Sequence, residues 1–439
     1  MMEKLLELAL REAEQVEVFE VHSESRLVHF EASRLKQVET RQNSSVALRL
    51  IRGGRMGFSS ASGDLNPEKL VEMAVETSSF GAAAQLTFPG ARELPAVRTF
   101  DERVAALEAG PMIEMGLRVI ERVTGRYLDV QCEGLVSRHA GSVRIINSNG
   151  LDSSFRQTGL GLSMEGIRVK DTDMLFVGDS VSSSDLFIDP DVVAETMLRQ
   201  LELASRPASI VSGSYPVLFT PLGVGAALLG PLAVAFNGNN VVEKASRLSE
   251  RQGEGAFDAR LSVWDDATLD GRPSSAPFDD EGTPARRIRL VEDGVIGEFL
   301  YDLRTAAEAG AESTGSGRRG DARSQVRPGM SAFVLDEGEA SFEEILAGID
   351  EGLVVEELIG ANQGNLLAGE FGGNVLLGFK VEKGEIVGRV KDTMIAGNIM
   401  DVLSRVAAIG SDARWVGGGL RTPSLLCDDV YVSARGGAA

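Results

Sequence analysis

Between Arg206 and Glu243 the chain carries no charged side chain, although 25% of all its residues are Asp, Glu, Lys or Arg. The centre of this stretch reads Tyr215-Pro-Val-Leu-Phe-Thr-Pro-Leu-Gly-Val-Gly-Ala-Ala-Leu-Leu-Gly-Pro-Leu-Ala-Val-Ala-Phe236. A segment this apolar has to leave water, as a membrane span, a buried core helix or the wall of a site. A span needs about 20 apolar residues in one helix. Here Pro216, Pro221 and Pro231, with Gly213, Gly223, Gly225 and Gly230, cut the run into pieces, because proline removes a helical donor and clashes with the preceding turn. The expectation is a short buried strand from Tyr215 to Thr220, then a buried helix from Leu222 to Phe236, and no membrane span.

The flanking sequence has a different texture. Residues 16–60 alternate in polarity, as in Arg26-Leu-Val-His-Phe30 and Ser45-Val-Ala-Leu-Arg-Leu-Ile51, with a glycine turn at Arg52-Gly-Gly-Arg55. Residues 130–138, 142–147, 152–165 and 175–180 continue this period of two, with Asn149-Gly150 as a hairpin turn, so antiparallel strands are expected. Helical spacing or caps mark 2–15, Asn66 to about Phe80, parts of 101–127, and Asp189 to about Ser205. Further on, helices are expected at 241–250, 302–309, 341–348 and 396–409. Strands are expected at 261–265, 352–358, 366–371, 375–381, 385–390 and 423–432, with a hairpin over 287–299. The fold class is therefore α+β. An N-terminal antiparallel sheet with covering helices (1–210) precedes a β-rich C-terminal domain with a few helices (211–439), divided near the Pro, Ser and Gly cluster of 206–213.

Composition narrows the function. In 439 residues, 44 Lys and Arg face 65 Asp and Glu, a formal net charge of −21. That charge repels phosphate backbones and anionic bilayers, which argues against nucleic-acid and membrane partners. Two distant cysteines, Cys132 and Cys427, suit a reduced, cytoplasmic protein. Residues 1–15 mix Glu3, Lys4, Glu7, Arg11 and Glu12 among leucines, which reads as an amphipathic helix and not a signal peptide.

Candidate chemistry is sparse. The three histidines, His22, His29 and His139, lie on strand-like stretches without the i, i+4 spacing that brings two imidazoles to one ion. There is no GxSxG. Asp279-Asp280-Glu281 could serve as paired carboxylates or hold a hard cation, but a solvated or capping loop before a hairpin is the simpler reading. The loop Ser313-Thr-Gly-Ser-Gly-Arg-Arg-Gly320 combines Gly315, Gly317 and Gly320 with a double guanidinium. It lacks the GxxxxGK(S/T) order of a phosphate cradle, and reads as a mobile surface loop, or as a lid or a peptide-carboxylate contact made by Arg318 and Arg319.

Taken in order, these motifs resemble a family. Phe278-Asp-Asp-Glu-Gly-Thr-Pro284, Tyr301-Asp-Leu-Arg304 and Ser313-Thr-Gly-Ser-Gly-Arg-Arg319 are similar to the central signature of the TldD/PmbA family. Val390-Lys-Asp-Thr-Met-Ile-Ala-Gly-Asn-Ile-Met400, Ala408-Ile-Gly-Ser-Asp412 and Thr422-Pro-Ser-Leu-Leu426 resemble its C-terminal signature, and Val46-Ala-Leu-Arg49 to Gly54-Arg-Met-Gly-Phe58 its opening sheet. The resemblance implies a two-component zinc peptidase that degrades short or unfolded peptides and in some systems trims leaders. The family's TldD-type subunit carries HExxxH on a helix and a downstream cysteine ligand. Counted back from Ser246, the matching positions here are Leu229, Gly230 and Val234, and no cysteine occurs near Trp415-Val-Gly-Gly-Gly419. The likeness is thus to the metal-free TldE (PmbA) type. It implies no catalytic residue and no cofactor in this chain, with zinc in a TldD-type partner. It also implies pairing with that subunit or with a second copy as a homodimer, and an extended peptide as substrate. Substrate contacts are expected at Gly315, Gly317, Arg318, Arg319, Asp279, Asp280 and Glu281. Two alternatives stay open: a homodimeric hydrolase with a carboxylate metal site, and a regulatory protein-binding module of the gyrase-modulator kind.

Overall fold

The computed structural model describes residues 1–63, 66–321 and 323–435. Six long antiparallel strands build the first half: β1 (Gln15–Glu31), β2 (Arg34–Arg52), β3 (Arg55–Ser62), β4 (Val130–Asn147), β5 (Asp152–Lys170) and β6 (Asp173–Ser183). They lie in the order β3-β2-β1-β4-β5-β6. The two stretches expected over 130–147 are one strand, since its register with β1 runs unbroken from Gly134 to Asn147. Gly53 and Gly54, both at positive φ, close the turn between β2 and β3.

Alternation gives the sheet two distinct faces. Val16, Val18, Leu48 and Leu50 point toward α1 (Met2–Ala9) and α2 (Pro67–Ser78). Farther along the same face, Val28, Phe30, Val136 and Leu162 pack with α3 (Glu102–Ala105), α4 (Ala109–Arg126) and α5 (Pro190–Leu203). The opposite face presents Phe19, Ala47, Val143 and Ile145 to Phe278 of the second half. Helix α1 stops well short of residue 15, because Glu14 turns back to take the Gly53 amide and Gln15 already enters β1.

The uncharged stretch becomes β7 (Gly213–Phe219) and three short helices, α6 (Pro221–Ala227), α7 (Leu229–Phe236) and α8 (Gly238–Val242). The single helix expected over 222–236 is broken at Leu228. Pro231 has no N–H to donate, so a new helix starts where its first turn needs none. The helix expected over 241–250 ends at Val242, and Lys244 and Glu250 take left-handed conformations, φ 56° and 64°. The helix expected over 396–409 is a strand (Thr393–Asn398), a short helix (Ile399–Leu403) and a second strand (Val406–Ile409). Thr393 and Ile395 are buried between exposed Met394 and Ala396, a period of two, and Asn398 caps the helix that follows. Residues 366–368 form a 3-10 turn before the strand Glu370–Glu382.

β7 pairs with the strands Glu351–Ile359 and Leu425–Ala434. The latter pairs with Thr393–Asn398, that strand with Glu370–Glu382, and this last strand pairs back onto Glu351–Ile359. The ring closes as a barrel, which leaves no bare edge inside it. Phe219, Val224, Leu228, Leu232 and Phe236 sit in its core, so the missing charge is explained by burial. Among the described residues no helix is long and apolar enough to cross a membrane.

Candidate functional site

The odd-numbered face of the first sheet meets the second half through charge as well as apolar contact. Glu17 on β1 and Arg49 on β2 are direct cross-strand partners. Arg49 holds Glu17 with two bonds of 2.8 and 2.7 Å and reaches Glu281 Oε1 at 2.6 Å. Arg319 donates to Glu17 at 3.1 Å from the far side, and its backbone N–H donates to Asp280 at 2.7 Å. The other Glu281 oxygen accepts the Leu303 amide at 2.6 Å. Asp279 accepts three backbone amides, from Glu281, Thr283 and Gly317. The loop over 279–281 is thus a capping loop, not a solvated one: Asp279 accepts the amides of its own turn, and it is 0% and Glu281 1% exposed.

Burial decides the titration of this cluster. It pushes the Asp279 carboxyl up to about 8, helped by the neighbouring Glu281 charge. Burial also raises Glu281, against the pull of Arg49. Burial lowers Arg319, with Arg49 adding to the effect. Burial disfavours the Arg49 cation too, yet Glu17 and Glu281 hold its pKa above the ordinary value. Carboxylates outnumber guanidiniums in this interior: the buried Asp302 adds to the repulsion on Glu281, and Arg318 pulls on both Asp265 and Asp279.

The glycine loop is likewise not a mobile surface loop. Ser316 is fully buried, and the Arg319 side chain is 2% exposed. A Cβ at Gly317 would lie 2.8 Å from Glu281 Oε2 and 3.0 Å from Asp279 Oδ2, so only glycine lets the backbone press against both carboxylates. Gly315 takes φ +74°, which glycine adopts without strain. Of the expected contact residues, Asp280, Arg318 and Arg319 line a cleft of about 190 Å³ whose other wall is Phe19, Val21, Val143 and Phe155. Gly315, Gly317, Asp279 and Glu281 stand behind it as support.

Glu17, Arg49 and Ser275 escaped the sequence reading. The signal for the first two was there: each is a charge set in an apolar run, Val16-Glu-Val-Phe19 and Leu48-Arg-Leu-Ile51. His139 Nδ1 lies 3.3 Å from Ser25 Oγ across β1 and β4, but among the described residues no carboxylate pairs with that ring. A larger groove, about 600 Å³ between α5 and the barrel, is rimmed by Arg199 and Arg414, already paired with Glu356 and Asp179.

Leu229, Gly230 and Val234 share one half-buried side of α7. None carries a metal donor. A Cβ on residue 230 would come within 2.2 Å of Oδ1 of the exposed Asn362 side chain, which would have to turn away. Among the described residues no group of three or more His, Cys, Asp or Glu side chains is arranged to hold a metal ion. The chain therefore does not fit zinc at this helix.

Comparison with known proteins sets this geometry in context. The sequence profile of the PmbA/TldA metallopeptidase C-terminal domain matches residues 212–434, and that of the PmbA/TldA metallopeptidase domain 1 matches residues 16–78. Metalloprotease PmbA of Escherichia coli O157:H7 is 26% identical over 93% of this chain and 90% of its own. A metalloprotease TldD homolog of Buchnera aphidicola is 25% identical, over 54% of this chain and 49% of its own. The crystal structure of TldE from Thermococcus kodakarensis superposes with a TM-score of 0.90 at 22% identity, covering 99% of this chain and 100% of that one, which shows a common fold.

Proposed function

Since this chain belongs to the PmbA/TldD metallopeptidase family, we propose that it is the non-catalytic, TldE-type member of a two-chain peptidase acting on short or unfolded peptides. The observation that carries this reading is α7. At the three positions matching the family's zinc motif stand Leu229, Gly230 and Val234, none with a side-chain metal donor. Zinc and the hydrolytic step then belong to a TldD-type partner, and this chain supplies no cofactor of its own. Its part is to complete the chamber and guide extended substrate, with Asp280, Arg318 and Arg319 as contacts in the cleft beside the first sheet. An extended peptide offers backbone donors and acceptors along its length, which suits capture beside exposed strands. Residues 1–210 and 211–439 act as two units held by the buried charge seam. Two buried, unpaired cysteines support a cytoplasmic setting.

Co-expression with a TldD-type chain bearing HExxxH tests the reading. A stable complex by size-exclusion chromatography with light scattering is expected, and it cleaves an unfolded peptide in a chelator-sensitive way. Elution of the two chains apart at micromolar concentration would count against it.

A further inference from the structure

The 190 Å³ cleft has hydrogen-bonding capacity that the chain itself does not use. We propose that it captures one apolar amino-acid residue bearing a free α-carboxylate, a reading that rests on the peptide-handling role above. Three donor residues line the cleft. Arg318 feels the buried Asp265 and Asp279 but has no carboxylate within ion-pair distance among the described residues, and its guanidinium bonds to Ser331 Oγ. Ser275, 2% exposed, has a hydroxyl without a partner, and Arg319 Nε is also buried and unpartnered. A buried donor left without an acceptor costs about 1–3 kcal/mol, and a carboxylate offers acceptors in the geometry that a guanidinium fork matches.

The rest of the cleft sets size and polarity. Its floor is Phe19, Val21, Val143 and Phe155, an apolar surface for an aliphatic or aromatic side chain. Its volume is below the roughly 300–1,000 Å³ of sites for drug-sized ligands, so it holds about one residue and not a nucleotide. Asp280 and Asp321 on the rim oppose any anion that is not held against Arg318, and they can accept the N–H of the captured residue. That chemistry is shared by the C-terminus of a peptide and by a free amino acid.

Isothermal titration of the full chain with an unfolded peptide ending in leucine, with its C-terminal amide and with free leucine separates these sources. The acid is expected to bind at least about tenfold more tightly than the amide, the weight of a charge-assisted pair. Arg318→Ala should erase that difference and Arg318→Lys restore part of it. If Arg318→Ala lowers the thermal midpoint, Ser275→Ala is read in its place, with the same direction. Competition by leucine identifies the free amino acid as a ligand; acid-peptide binding without it identifies the C-terminus. Equal binding of acid and amide overturns the carboxylate pocket while the peptide-handling reading stands. Silent peptides with bound leucine remove that reading and keep the pocket. No binding by any of the three overturns both.

Discussion

Arg49 stands between two buried carboxylates, and its loss would leave Glu281 without an ion-pair partner among the described residues and Glu17 with Arg319 alone. Breaking a buried pair from one side costs about 3–5 kcal/mol. Arg49→Ala should therefore lower the unfolding free energy in urea by about that amount. Arg319→Ala should cost less, because Glu17 keeps its two bonds to Arg49. Asp279 makes the same cluster sensitive to pH. Its carboxyl is raised to about 8 in the folded chain and titrates at about 4 when unfolded. The stability it contributes is complete below about pH 4 and is lost as the pH rises through about 8, with a slope of at most about 1.4 kcal/mol per unit. Asp279→Asn cannot titrate, and its amide would oppose the Gly317 N–H, so it should be less stable than the native chain at pH 6. That gap should narrow by pH 9 in paired urea titrations. A constant gap would mean that Asp279 holds no proton in the folded chain.

At the scale of elements, α7 offers a test of helix propensity. Replacing glycine by alanine inside a helix usually stabilises by about 0.5–1 kcal/mol. At residue 230 the new Cβ would meet only the tip of the exposed Asn362 side chain, which can swing aside, so Gly230→Ala should raise the thermal midpoint; a fall would mean that Asn362 is held in place. The first sheet was legible in the sequence because a period of two, sustained over long stretches, puts apolar side chains on one face of a strand and on no face of a helix. The break at Leu228 was not, although Pro231 was in view, because a proline marks a kink or a restart without saying which. The site was least legible. Whether Asp279 and Glu281 are solvated depends on Arg49, 232 residues away from Glu281 along the chain, and on a glycine loop that closes over them. No local pattern carries that information. What the sequence did carry was the chemistry of the loop, a double guanidinium beside glycines, and the structure turns that pair toward a cleft.

Across the whole molecule, the barrel shares one core with the helix-backed first sheet and another with a second six-stranded sheet, and the charge seam ties the first sheet to residues 280–281 and 319. The likeness to PmbA runs along 93% of the chain, whereas the likeness to the TldD homolog of Buchnera covers 54%. The central claim is that hydrolysis belongs to a partner. The most direct test is cleavage of an unfolded, internally quenched peptide by the purified chain alone, with added zinc and with chelator. No cleavage above buffer is expected under either condition. Chelator-sensitive turnover by the lone chain, lost in Asp280→Ala, would contradict the account.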